Sequence, residues 1–283
     1  MKLKFLLPIL LIITLFTACK DDEIEEPVVA TELDGLIMAQ EFETDDHTIE
    51  VYTKSGKFYT GYNNVSLRIK KNADNTYFET FTINWMPMMN MQTMNHSCPK
   101  SALTKTASKR TLYNGFVIYQ MTGIGGAGWS IKFMYTINGT DYMVKEDIMV
   151  IQSARQNVTT FTGSDDTRYI AAIVGPTTPK IAINDLKVAL YTMENMMSFP
   201  VVEDYTITLD PRMPSMNYHS STNNTDLTYN TAEKMYHGNL SLTMTGYWVL
   251  NLKLLNQNNT VLKGENVVVG THNQSSLYLE IEF

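Results

Sequence analysis

The sequence is poor in cysteine: Cys19 and Cys98 are the two thiols among 283 residues. With Cys19 committed elsewhere, as argued below, no intramolecular disulfide can form, and an exported fold must be held by its cores alone. Positive charge is also scarce. Against 29 Asp and Glu there are 22 Lys and Arg, and the net charge of −7 argues against nucleic acid as a partner. Beyond residues 5–16 no stretch is apolar enough to span a bilayer. No ten-residue segment carries a convincing helical pattern, and no glycine-rich phosphate loop opens a helix. Carboxylates do not pair within apolar segments. Ser97 and Ser220 each adjoin a histidine, but neighbours on a strand face apart, so no nucleophile is activated. The expectation is a protein without enzymatic activity.

What is present begins at the N-terminus. Lys2 and Lys4 precede twelve apolar residues, FLLPILLIITLF, too short for a span and right for a signal h-region. Phe16-Thr17-Ala18-Cys19 resembles a lipobox, which implies a signal peptide over 1–18 and an acylated Cys19. Lys20-Asp21-Asp22-Glu23 then resembles the acidic export signal of surface lipoproteins in Bacteroidetes. A solvated acidic tether over 19–35 is the plainer reading of the same charges. Either way the resemblance implies an outer-membrane lipoprotein, surface-exposed or periplasm-facing.

The remaining 265 residues contain an internal repeat. Tyr113-Asn-Gly115 matches Tyr236-His-Gly238, Met121-Thr-Gly123 matches Met244-Thr-Gly246, and His96-Ser97 matches His219-Ser220, each pair 123 residues apart. Trp129 matches Trp248 in a second register that continues through Glu146 with Glu265 and Val150 with Val269. Upstream, Met86-Pro-x-Met-Asn90 matches Met213-Pro-x-Met-Asn217, Asn63 matches Asn184, and Val65-x-Leu67 matches Leu186-x-Val188. The halves are expected at 36–156 and 157–283.

Each half reads as all-β. Trp129, Ile131, Phe133 and Tyr135 alternate with polar or smaller residues, as do Trp248, Leu250, Leu252 and Leu254. Ser55-Gly56, Asn138-Gly139, Gly175-Pro176 and Asn256–Asn259 punctuate the runs. The expected fold is two tandem immunoglobulin-like antiparallel β-sandwiches.

The candidate chemistry lies in a methionine-rich segment. Met86, Met88, Met89, Met91 and Met94 fall within nine positions, followed by His96 and Cys98. The second half offers Met213, Met216 and His219, with Met121, His237 and Met244 as further candidates. Thioether sulfur is soft and neutral and cannot be protonated, so with imidazole it favours Cu(I) over Zn(II), Ca(II) or Mg(II). Pro87 and Pro214 break regular pairing, so these methionines are expected in loops or on a strand edge. Methionine also fills apolar gaps, and packing stays open as a reading. Against it, Asn90, Gln92, Asn95 and His96 interleave with the methionines. His47 and His272 are expected to be solvated.

The order Met-Pro-x-Met, His, Tyr-x-Gly, Met-Thr-Gly and a Trp heading a strand resembles the YtkA-like/FixH-like domain over most of each half, most closely at 86–135 and 213–254. It departs at Asn90 and Asn217, where a glycine is usual. The resemblance implies a small β-sandwich and a place near copper handling or oxidase assembly, with a copper-handling protein as partner. The alternative is a surface adhesion or glycan-binding lipoprotein in which exposed aromatics make the contacts.

Overall fold

The computed structural model describes residues 32–91, 94–123 and 127–283. The expected signal peptide, Cys19 and nearly all of the expected acidic tether lie outside the described residues. Among the described residues the chain is all-β, with one three-residue 3-10 turn at Pro214–Met216. Among the described residues no helix is long and apolar enough to cross a membrane.

The first half contains β1 (Ile37–Glu43), β2 (His47–Thr53), β3 (Phe58–Tyr59), β4 (Gly61–Lys71), β5 (Thr82–Asn90), β6 (Asn95–His96), β7 (Thr104–Lys105), β8 (Tyr113–Tyr119), β9 (Gly128–Ile137), β10 (Thr140–Ile148) and β11 (Val150–Ile151). The second contains β12 (Val158–Thr162), β13 (Arg168–Gly175), β14 (Ala182–Thr192), β15 (Thr206–Met213), β16 (His219–Ser220), β17 (Leu227–Asn230), β18 (Met235–Leu242), β19 (Tyr247–Leu255), β20 (Val261–Lys263) and β21 (Tyr278–Glu282).

Strand order repeats between the halves. The first half has sheets β1-β2-β4-β8-β7 and β10-β9-β5-β6; the second follows β12-β13-β14-β18-β17 and then β15-β19-β20, with β16 on β15. In the second half β17 pairs with both β18 and β15, so the two layers join into one folded sheet. Apart from the short parallel pair β3–β11, pairing among the described strands is antiparallel. Asn138 and Gly139 both take positive φ, the two-residue hairpin geometry that joins β9 to β10.

Small details repeat as well. Asn63 locks its turn by bonds with Tyr59 and Gly61, and Asn184 does the same with Lys180 and Ala182. Tyr113 and Tyr236 each donate a hydroxyl to a backbone carbonyl, of Phe81 and Val202. Trp129 and Trp248, both fully buried, donate Nε1 to the carbonyls of Met121 and Met244 at 2.8 and 3.1 Å. The glycine of each Tyr-x-Gly lets another segment approach. A Cβ on Gly115 would stand 3.0 Å from the Ala102 carbonyl, and one on Gly238 2.8 Å from that of Thr225.

Two parts of the repeat register are corrected. Pro87 faces Ile131 and Pro211 faces Leu250, so Pro87 corresponds to Pro211 and Met89 to Met213; the Met213-Pro214 string is a local coincidence three residues out of step. Past Trp248 the match stops at β19. Glu146 lies within β10, whereas Glu265 lies in a loop between β20 and β21, two short strands that share the edge of β19.

Candidate functional site

The first core gathers Phe42, Val65, Leu67, Trp85, Trp129 and Phe133; the second gathers Leu186, Val188, Tyr236, Trp248 and Leu250. A third cluster draws on both halves. Ile118 of β8 is buried with Ile170, Ala172, Ala189 and Tyr191 of β13 and β14, and Tyr62, Phe116 and Val174 flank them. On β8, Val117 and Tyr119 face the first core while Ile118 faces the second half. Because β13 and β14 are covered on both faces, Tyr169-Ile-Ala-Ala-Ile-Val174 loses the alternation seen elsewhere. The connecting segment is tied to both sides. Ser153 bonds to Thr60, Gln156 to Glu280, and Arg155 pairs with Glu282.

The expected ligands are distributed around this junction unevenly. Met86, Met88 and Met89 lie within β5, not in a loop. Pro87 fits there because β6 reaches only Met89 and Asn90, so the missing N–H falls on a largely free edge, where the Pro87 carbonyl instead accepts from Ser97 Oγ at 2.7 Å. Strand alternation then divides the methionines: Met89 enters the first core, while Met86 and Met88 sit half-buried on the opposite face. Cys98 also packs in the first core, and burial pushes its thiol well above the ordinary value. In the second half Met213 packs in the core, Met216 and His219 are exposed, and Met244 rests against the core. His237 lies 3.4 Å from both Asp185 and Glu233. His47 is buried, with edge contacts to the rings of Phe78, Tyr135 and Tyr142, rather than solvated; burial lowers its pKa. His272 is exposed and bonds Glu265 at 2.6 Å.

Met91, Met94, His96 and Met121 do come together. They line a cavity of about 350 Å³ whose far wall is Met193 and Met196 of the second half, with Gln120, Thr160 and Arg168 completing it. Sequence reasoning passed over Met193 and Met196, although Met193, Met196 and Met197 fall within five positions and could have been read as a second methionine cluster. A backbone bond from Ser97 N to the Met196 carbonyl, 2.8 Å, crosses the junction beside His96. Among the described residues no three His, Cys, Asp or Glu side chains are grouped to hold a metal ion.

A second, polar groove of about 290 Å³ is also built by both halves. Lys54, Lys57, Tyr62 and Asn64 line it from the first half, Asn157 from the connecting segment and Thr177 from the second. Tyr62 stacks on Phe116 with ring centroids 5.0 Å apart and donates to Asn64 Oδ1 at 3.2 Å; burial pushes its hydroxyl up to about 12, so it stays neutral. The described aromatic side chains are all buried or half-buried, so contacts through fully exposed rings are not available there.

The strands and cores define a tandem antiparallel β-sandwich protein whose methionine-lined cavity and polar groove both lie at its junction. No family model and no curated protein matches the chain. One similar solved structure is the Escherichia coli adhesin FdeC, 13% identical, with the alignment covering 87% of this chain and 67% of that one at a TM-score of 0.24. A likeness of that size carries no argument about function.

Proposed function

We propose that the chain is a non-enzymatic surface lipoprotein, anchored through an acylated Cys19, that binds a carbohydrate ligand of adhesion type at the polar groove between its halves. The observation that carries this reading is the groove itself, which needs both sandwiches and the connecting segment to form. Its lining mixes lysine, amide, hydroxyl and a half-buried tyrosine ring, the donor, acceptor and flat apolar surface that a sugar presents in complement. Its volume lies near the low end of small-ligand sites. Lys54 and Lys57, with no carboxylate among the lining residues, favour an acidic sugar. The order of Met-Pro-x-Met, His, Tyr-x-Gly and Trp in the first half supports a YtkA-like/FixH-like origin for the halves, and the short apolar run before Cys19 supports the anchor.

The test is binding of the full-length chain to immobilised neutral and uronate- or sialate-bearing glycans. Selective binding of acidic glycans is expected, with loss in Lys54→Ala/Lys57→Ala and in Tyr62→Ala. No binding, or binding that the three changes leave intact, overturns the groove assignment. Cys19→Ala should release the protein from the detergent phase; unchanged partitioning refutes the anchor.

A further inference from the structure

We infer that the methionine-lined cavity at the junction is a binding site for a soft monovalent cation, Cu(I) or its probe Ag(I). The inference is independent of the polar groove and survives its failure.

The donor set is the first ground. Met91, Met94 and Met121 approach from the first half and Met193 and Met196 from the second, with His96 on the same wall. Five thioethers and one imidazole are all neutral donors of the kind that soft ions prefer. Among the described residues no carboxylate or thiolate lines the cavity, and Arg168 is the one charged side chain. A divalent ion would therefore gain no counter-charge here, and hard ions would find few oxygen ligands. A single positive charge bound by polarizable sulfur is the species that this lining accommodates.

The state of His96 is the second ground. Its Nδ1 lies 2.9 Å from the Ser97 carbonyl, and a carbonyl can only accept, so Nδ1 carries the proton. In the neutral ring the lone pair then falls on Nε2, which no hydrogen bond claims among the described residues. A backbone carbonyl that fixes the ring and its tautomer is the usual outer partner of a ligating histidine. His96 is buried, and its ring meets Trp129 edge-on at 5.5 Å, which limits its rotation.

The third ground is that the backbone of each ligand segment is held. Met91 N bonds the Met94 carbonyl, Met121 is held by Trp129 Nε1, Met193 N bonds the Arg168 carbonyl, and the Met196 carbonyl accepts from Ser97 N. The side chains themselves remain accessible. Met91, Met94 and Met196 are 37%, 49% and 41% exposed, unlike methionines committed to a core. An ion can enter, and the flexible thioethers can close on it without moving a strand.

The site differs from one built on the sequence cluster alone. It uses neither Met86, Met88, Met89 nor Cys98, and it needs Met193 and Met196 from the other half.

The test is an anaerobic titration of the full-length chain with Cu(I), and separately with Ag(I), against a chelator of known affinity. One ion per chain is expected. Because Leu replaces Met with little change in volume, and the chosen positions are exposed, Met94→Leu and Met196→Leu should fold normally. Each should weaken binding by roughly 10–100-fold, at least what loss of an outer partner costs a metal site. Met143→Leu and Met216→Leu, exposed elsewhere, should bind as wild type, as should Cys98→Ala. Failure of the wild type to compete overturns the inference. So does unchanged affinity in Met196→Leu, which would confine any binding to the first half, or loss in Cys98→Ala, which would assign it to the thiol.

Discussion

Ile118 tests whether the two sandwiches are held as one body. Its neighbours Val117 and Tyr119 belong to the first core, so a free-standing first half would leave Ile118 on a solvent-facing surface. In the structure Ile118 is 0% exposed, packed in one cluster with Ile170, Ala172, Ala189 and Tyr191. Changing it to Ala removes three carbons. At about 0.8 kcal/mol per buried methylene the transfer loss is near 2.5 kcal/mol. An unfilled cavity adds to that, and the whole should fall within roughly 2–5 kcal/mol. On an exposed strand face the same change would alter β-propensity alone, by at most about 1 kcal/mol. The two cases are separable by urea unfolding of the full chain followed through tryptophan emission, with Trp85 and Trp129 in the first half and Trp248 in the second. Ile118→Ala should lower the midpoint seen by all three tryptophans. Combined with Ile170→Ala it should show a coupling of about 0.5–3 kcal/mol, as expected for residues in contact. A loss below about 0.5 kcal/mol, the range of ordinary surface changes, or strict additivity with Ile170→Ala would refute the joint.

Gly115→Ala and Gly238→Ala should each cost about 1–3 kcal/mol, because the new Cβ meets a backbone carbonyl that cannot swing away. Thermal melts check this, with Gly128→Ala, where a Cβ meets nothing within 4 Å, as the control. Glu50 should make the protein acid-sensitive. Burial alone raises its carboxyl, but hydrogen bonds from Tyr52, Arg68 and Lys70 outweigh burial and hold it below its ordinary value of 4.5. A depressed folded pKa contributes stability that is present above the unfolded value and lost as pH falls through the folded one. That contribution should fade below about pH 4.5, and Glu50→Gln should flatten that part of the profile; an unchanged acid limb refutes the assignment. Cys98, buried and with its thiol pushed up, should resist an aromatic disulfide reagent in the native state and react only as the chain unfolds. Labelling faster than unfolding would contradict that placement.

Much of the architecture was legible in the residues. The tryptophan-headed alternating strands, the two Tyr-x-Gly glycines and the paired Asn63 and Asn184 stand out because each meets a local demand that recurs in both halves. The methionine segment misled for a related reason. Met86-Pro87 and Met213-Pro214 look alike, but register is set by pairing with β9 and β19, which aligns Pro87 with Pro211 instead. His47 looked isolated because the rings that enclose it, Phe78, Tyr135 and Tyr142, come from distant parts of the chain.

The sequence by itself determined the all-β class, the repeated motifs, the inward faces of the main strands and the scarcity of staples, because period 2, turn residues and cysteine number are properties of the chain alone. Only the tertiary structure decided which methionines share a cavity. Side chains at i and i+1 on a strand point to opposite faces, so Met88 and Met89 part company. Met94 and Met196, about a hundred residues apart, meet because the outer face of β8 buries itself against β13 and β14.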